Sequence, residues 1–298
     1  MVLLIAFLVS LPCISFANEI AFTFDDAPRG DGKIFSGYER TEKIVSSLKK
    51  HNIETVFFVN PERFRYPGRI ERIKKYSDAG HLIANHTYSH ADLRKVSAKD
   101  FISEISRADK LIQQFPTYVK WFRFPFLHEG ETKETRDSVR LHLESTGYVN
   151  GYVTVDNYDY FLDDLVQKAI SRGDKVDFEK ACNMLVDVMW EGIQFYDSIA
   201  EQHIGNVKHI LLMHENDIEA LCLDKLISFL NSKRWKIISP TSAYKDPLLQ
   251  SEPETLYLNQ GRVAAIAYAK SGKKYKSRLE NTRALEQEFE KRKIVIFK

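Results

Sequence analysis

Two hydrophobic periods take turns along most of this chain. Short apolar runs, of the kind that form strands buried on both faces, occupy residues 19–24, 55–59, 81–84, 121–124, 152–155, 209–213 and 235–238. Between them lie segments with apolar residues at helical spacing, predicting helices over 41–50, 70–79, 97–115, 132–145, 178–202 and 218–232. In 97–115 the apolar face is Phe101, Ile105, Ala108 and Ile112, and in 178–202 it is Ala181, Leu185, Val188, Met189, Phe195 and Ile199. Gly80 stands where a left-handed cap ends the 70–79 helix. About seven alternations of strand and helix predict a parallel α/β fold, either a barrel or a doubly wound sheet. Polar clusters follow the strands directly: Asp25-Asp26, His86 and His90, Arg123, Asp156 and Asp159, and His214. In a barrel all these strand ends share one face, so groups far apart in sequence would converge on one site.

Both ends of the chain depart from this pattern. Residues 2–16 are almost unbroken apolar residues leading into Ser15-Phe16-Ala17, a small-x-small pattern that signal peptidases cut. The run is shorter than the roughly 20 residues of a membrane-spanning helix, and residues 1–17 are read as a signal peptide directing export to the periplasm or the exterior. No Lys or Arg precedes the run, which keeps an uncleaved anchor or a buried N-terminal strand as alternatives. Cys13 suggests a lipoprotein, but Pro12 is a poor residue just before a lipidated cysteine. Residues 18–246 then read as one α/β domain with a helical insertion at about 161–205. Residues 247–298 read as a basic C-terminal extension, cap or final barrel element.

Composition adds little to this picture except at two points. Hydrophobic residues make up 44% and charged residues 28%, as expected of a globular protein with a large core. The net charge of +2 conceals a basic tail, since residues 270–298 hold ten Lys or Arg against four Glu. Such a tail suits a solvated helix face, or contact with anionic envelope polymers or headgroups. No aromatic-basic interleaving or motif points to nucleic acid. Past the leader only Cys182 and Cys222 remain. One disulfide is feasible in an oxidising compartment, although the apolar helical settings favour two buried thiols.

His86 and His90 are four residues apart, so two imidazoles on one helical turn could share a metal. Two histidines and one carboxylate make a three-ligand catalytic site with room for water, suited to Zn²⁺ or a similar divalent ion. Asp25 and Asp26 stand where a strand breaks into a loop, so one can ligate while its neighbour takes a proton. Taken singly, an Asp-Asp turn and a lone His214 also fit a helix cap and a core histidine.

Taken in order, Thr23-Phe24-Asp25-Asp26, His86-Thr87-Tyr88-Ser89-His90, Arg123-Phe124-Pro125-Phe126, Asp156-Asn157-Tyr158-Asp159-Tyr160 and Leu211-Leu212-Met213-His214 resemble the five motifs of the polysaccharide deacetylases, carbohydrate esterase family 4. The first two match closely. In the fourth, Tyr160 stands where the family usually has Trp, and in the third Phe126 replaces a frequent Tyr. The resemblance implies an α/β fold in the form of a distorted (β/α) barrel with parallel strands. It implies a divalent metal, Zn²⁺ first with Co²⁺, Ni²⁺ or Mn²⁺ as alternatives, held by Asp26, His86 and His90. It further implies Asp25 as general base oriented by Arg123, and His214 as general acid tuned by Asp159. The backbone N–H of Phe126 would help form an oxyanion hole, Tyr160 would form an aromatic wall, and Leu212 would line the acetyl pocket.

Physical chemistry supports the same allocation. Amide or ester hydrolysis needs an activated water, a stabilised tetrahedral oxyanion and a proton for the leaving group. Arg123 and the metal are expected to keep Asp25 ionised, and Asp159 to keep His214 protonated. The expected substrate is an acetylated glycan, with N-deacetylation of an amino-sugar polymer ahead of O-acetyl esterase action on a polysaccharide such as xylan. A catalytically inactive carbohydrate-binding protein and hydrolysis of a non-sugar C–N bond are the readings from other classes. The complete set of site residues argues against an inactive protein.

Overall fold

A computed structural model describes residues 18–256 and 261–296. The leader read at residues 1–17 lies outside the described residues. The chain runs β1 (Glu19–Ala27), α1 (Gly37–Lys50), β2 (Val56–Val59), α2 (Arg69–Asp78), β3 (Leu82–Asn85), α3 (Ala98–Ile112), β4 (Tyr118–Phe122), α4 (Lys133–Ser145) and β5 (Val149–Asn150). It continues through α5 (Asp159–Ser171), β6 (Lys175–Val176), α6 (Phe178–His203), β7 (His209–His214), α7 (Asp217–Ser232), β8 (Lys236–Ile237) and α8 (Pro240–Ala243). The tail adds α9 (Arg262–Ser271), α10 (Thr282–Lys291) and β9 (Val295–Ile296).

Helix starts follow local capping chemistry. Ser36 and Glu39 form a reciprocal capping box on α1, and Ser97, Thr132, Asp177 and Asn216 cap α3, α4, α6 and α7 by accepting backbone N–H bonds. The main sheet is parallel, in the order β5-β4-β3-β2-β1-β7, with β8 paired to the start of β1. β2 is buried throughout and β1 except at Glu19 and Asp26, because helices cover the sheet as crossovers between parallel strands. Ile20, Phe22, Phe24, Phe57, Phe58 and Ile83 are fully buried in the core between them.

The strand expected at 152–155 is replaced by something less regular. Val149 and Asn150 pair with Trp121 and Phe122 at one edge of the sheet, and Val155 bridges Leu211 of β7 at the other. A few residues therefore span both edges, and the sheet curls into a distorted barrel. Gly151 sits on that crossing. A Cβ there would lie 2.6 Å from the Phe58 ring, so only glycine lets the segment pass. The strand expected at 121–124 also lies earlier, leaving Arg123 just past its end.

Cys182 of α6 and Cys222 of α7 form a disulfide, with Cα atoms 5.2 Å apart. This corrects the reading of two buried thiols: the two helices pack side by side, and that approach is invisible to helical periodicity. Closing a loop across 40 residues stabilises the fold by about 2–4 kcal/mol. In the tail, α9 packs on α6, and β9 pairs antiparallel with β6, away from the barrel. No helix among the described residues is long and apolar enough to cross a membrane.

Candidate active site

The acidic pair owes its geometry to a distortion of β1. The strand continues through Ala27, but its register with β2 shifts between Phe24 and Ala27, and Asp26 takes the left-handed region at φ 69°. In a regular strand neighbouring side chains point to opposite faces. The bulge lets both carboxylates reach one cleft. His86 and His90 converge by a different route from the one expected. They lie on a loop after β3 and not on a helical turn, with Thr87 and His90 both at φ 63°. Backbone bonds from His86 to Val59 and from Glu62 to Tyr88, together with the Asn60 side chain on the His86 carbonyl, fix that loop.

Asp26 Oδ1 lies 3.3 Å from His90 Nε2 and 3.9 Å from His86 Nε2, and ligand atoms of the three residues all fall within 4.8 Å of one another. Oδ1 is buried and has no hydrogen-bond partner among the described residues. His86 Nδ1 donates to the Arg123 carbonyl at 2.9 Å, which fixes the tautomer and leaves the Nε2 lone pair facing the carboxylates. Burial pushes both histidines down to about 4, so they are neutral and able to ligate at pH 7. Burial opposes the Asp26 charge, but His90, Arg63, His214 and Arg29 outweigh it and hold the carboxyl well below its usual range. An orphaned anionic oxygen facing two neutral imidazoles fits a divalent cation, which these three residues could hold.

Asp25 is buried beside this group, with Oδ2 3.6 Å from His86 Nε2. Its Oδ1 accepts from Arg123 Nη1 at 2.5 Å. Arg123 is fully enclosed: it also donates to Thr23 Oγ1, the Gly151 carbonyl and Tyr244 Oη, and its guanidinium stacks 3.9 Å from the Phe58 ring centroid. Burial pushes the Asp25 carboxyl up and outweighs the pull of Arg123 and His214. This leaves a stronger proton acceptor than an exposed aspartate.

β1 and β7 are in register with Asp25 opposite His214, which brings residues from distant parts of the chain across one cleft. His214 Nδ1 is 2.6 Å from Asp159 Oδ1, and its backbone N–H donates to Asp159 Oδ2 at 2.9 Å. Burial would lower His214, but Asp159, with smaller help from Asp26 and Asp25, raises it to about 9. Asp159 itself is lowered against burial by the same pairing. Both facing groups are thus pushed up from their ordinary values, Asp25 by burial and His214 by Asp159.

These groups line a cleft of about 280 Å³ together with Arg29, Phe126, Leu127, Asp156, Asn157, Tyr158, Tyr160 and Leu212. Phe126 and Tyr160 are 48% and 40% exposed at the cleft, packed edge-on against His90 and His214 respectively. Phe126 is held at φ 57° in the turn that follows β4. Leu212 is buried, and its carbonyl accepts from Asn157 Nδ2 at 2.5 Å. Every residue singled out in the sequence reaches the cleft except Arg123 and Asp159, which sit behind Asp25 and His214. Sequence reasoning missed Arg29, although its place directly after Asp25-Asp26-Ala27-Pro28 was a signal. It also missed Tyr244, which no local pattern marks.

A family model described as polysaccharide deacetylase matches residues 17–151. A peptidoglycan-N-acetylglucosamine deacetylase of Bacillus cereus is 36% identical over 122 residues, covering 40% of this chain and 38% of the relative. A chitin deacetylase of Arthroderma benhamiae is 29% identical over 136 residues, covering 42% of this chain and 33% of the relative. The matched region thus spans well under half the length of either relative. The structure of the chitin deacetylase from Colletotrichum lindemuthianum shares the fold at 23% identity and a TM-score of 0.52, over 82% of this chain and 92% of that one. The five motifs gather on one barrel face, and the polysaccharide deacetylase family model matches across the first three of them, over residues 17–151.

Proposed function

We propose that this protein is a metal-dependent hydrolase that removes acetyl groups from an N-acetylated amino-sugar glycan. The observation that carries this reading is the single cleft in which Asp25, the Asp26–His86–His90 group and the His214–Asp159 pair converge. Asp26, His86 and His90 would hold a divalent ion, Zn²⁺ in our reading, which when bound would supply Lewis acidity to lower the pKa of a water toward about 7 and polarise the acetyl carbonyl. Asp25, raised by burial, accepts a proton from the attacking water. Arg123 fixes the direction of the Asp25 carboxylate. The Phe126 backbone N–H stabilises the developing oxyanion. His214 then gives its proton to the amine nitrogen as the C–N bond breaks, and acetate leaves. Leu212 lines the recess for the acetyl methyl, and the exposed rings of Phe126 and Tyr160 offer apolar walls for sugar faces. The Cys182–Cys222 disulfide supports an oxidising, non-cytoplasmic location.

Acetate release from N-acetylglucosamine oligomers, compared with acetylated xylan, tests the reading. Release from the oligomers is the expected result, and release from xylan alone would make the protein an O-acetyl esterase.

The acid role also has a pH signature. His214 must be protonated to act, so activity should fall as pH rises through its pKa. Asp159 lifts that pKa to about 9. Without the Asp159 charge, burial prevails and the pKa drops. In Asp159→Asn the alkaline limb of kcat/KM should therefore move down by about 1–3 pH units. A limb that stays in place would remove His214 from the acid role.

A further inference from the structure

Arg29 has a rigid backbone and a side chain with unmet bonding capacity. Its N–H donates to Glu215 Oε2 at 2.6 Å, and its carbonyl accepts from Arg72 Nη1 at 2.6 Å and Arg40 Nη2 at 3.3 Å. Glu215 is in turn buried among Arg40, Arg72 and Tyr76, so the network locks the position from which the Arg29 side chain enters the cleft. Its Nη1 is buried with no hydrogen-bond partner among the described residues. Burying a guanidinium donor unpaired is unfavourable.

Neighbouring carboxylates do not fill the gap. Asp26 Oδ1 faces His90, while its Oδ2 is nearest Arg63 at 4.0 Å. Asp163 Oδ1 accepts from the Ile218 N–H and from Gln167, and Asp217 is taken by Arg40 and the amides of Ile34 and Phe35. A second cation stands at the Tyr158 wall of the same cleft: Lys276, from the tail, donates to Tyr158 Oη at 2.9 Å. The mechanism uses neither cation.

We propose that Arg29 binds a carboxylate on the sugar adjoining the acetylated one, so that an anionic glycan is preferred over a neutral one. A guanidinium presents a planar fork of donors that a carboxylate matches in two parallel bonds, and Lys276 adds positive potential along the approach. This rests on the deacetylase reading above. The carboxylate can come from a uronic acid or from a lactyl ether, and the chemistry of recognition is shared.

The test measures kcat/KM on N-acetylated oligosaccharides carrying a uronate or a lactyl carboxylate, each paired with the same molecule in which that group is a primary amide. The wild-type protein should prefer at least one carboxylate form by about 10-fold or more, mainly through KM. Which of the two is preferred identifies the source. Arg29→Gln should bring the ratio close to one, and Arg29→Lys should retain part of it. Because each ratio is internal to one variant, a partly unfolded preparation does not mimic the effect. A wild-type ratio near one, or equal losses on both members of a pair in Arg29→Gln, would overturn the proposal. If no substrate releases acetate, the deacetylase reading fails. The Arg29 proposal is then judged by calorimetric binding of the same pairs to wild type and Arg29→Gln, with the same ratios expected.

Discussion

Exchange of Asp25 for Asn is expected to cut acetate release by about 10²–10⁴-fold, with the fold and the bound metal left in place. Asn has the shape of Asp and keeps an oxygen for Arg123 Nη1, while Arg123 retains Thr23, Gly151 and Tyr244 as partners. The change therefore removes the proton acceptor and little else. Rates measured beside metal content and thermal melting separate the outcomes. An unchanged rate would end the base assignment. Loss of the metal would instead place Asp25 among the ligands, a distinction worth testing because its Oδ2 is nearer His86 Nε2 than Asp26 Oδ1 is, 3.6 Å against 3.9 Å. Asp26 is the carboxylate that also meets His90, at 3.3 Å, which is why it is assigned to the metal.

The second large effect concerns the metal itself. Chelation should reduce acetate release to background, and Zn²⁺, Co²⁺, Ni²⁺ or Mn²⁺ added back should restore it. His86→Ala should reproduce the loss in a folded protein and abolish stoichiometric binding. His86 is the informative ligand because its Nδ1 is committed to the Arg123 carbonyl and its Nε2 points at both aspartates. An orphaned carboxylate oxygen beside two imidazoles kept neutral by burial suits a cation. Full activity in protein shown by elemental analysis to be metal-free would refute this.

Much of the architecture was legible because it depends on local physics. Apolar runs such as Phe22 and Phe24 in β1, or Phe57 and Phe58 in β2, belong to strands covered on both faces, and capping residues such as Ser36 and Asn216 mark helix starts. The placement of every motif after a strand made convergence a consequence of parallel topology. The strand expected at 152–155 did not form as such because an apolar run does not reveal whether its hydrogen bonds go to one neighbour or to both edges of a closing sheet. The His86–His90 spacing was misread as a helical turn because two residues at positive φ make the same approach possible in a loop.

The sequence by itself determined the alternation of elements, the order of the motifs and the chemical types at the site, since hydrophobic period and residue identity are local properties. Tertiary structure alone decided how those groups act. Register between β1 and β7 set Asp25 opposite His214, a bulge turned Asp25 and Asp26 into one cleft, and burial raised Asp25 despite Arg123. The pairing of Cys182 with Cys222 and the unpaired donor of Arg29 were decided there too. Each depends on the distance between residues remote in the chain, and on how far water is excluded between them.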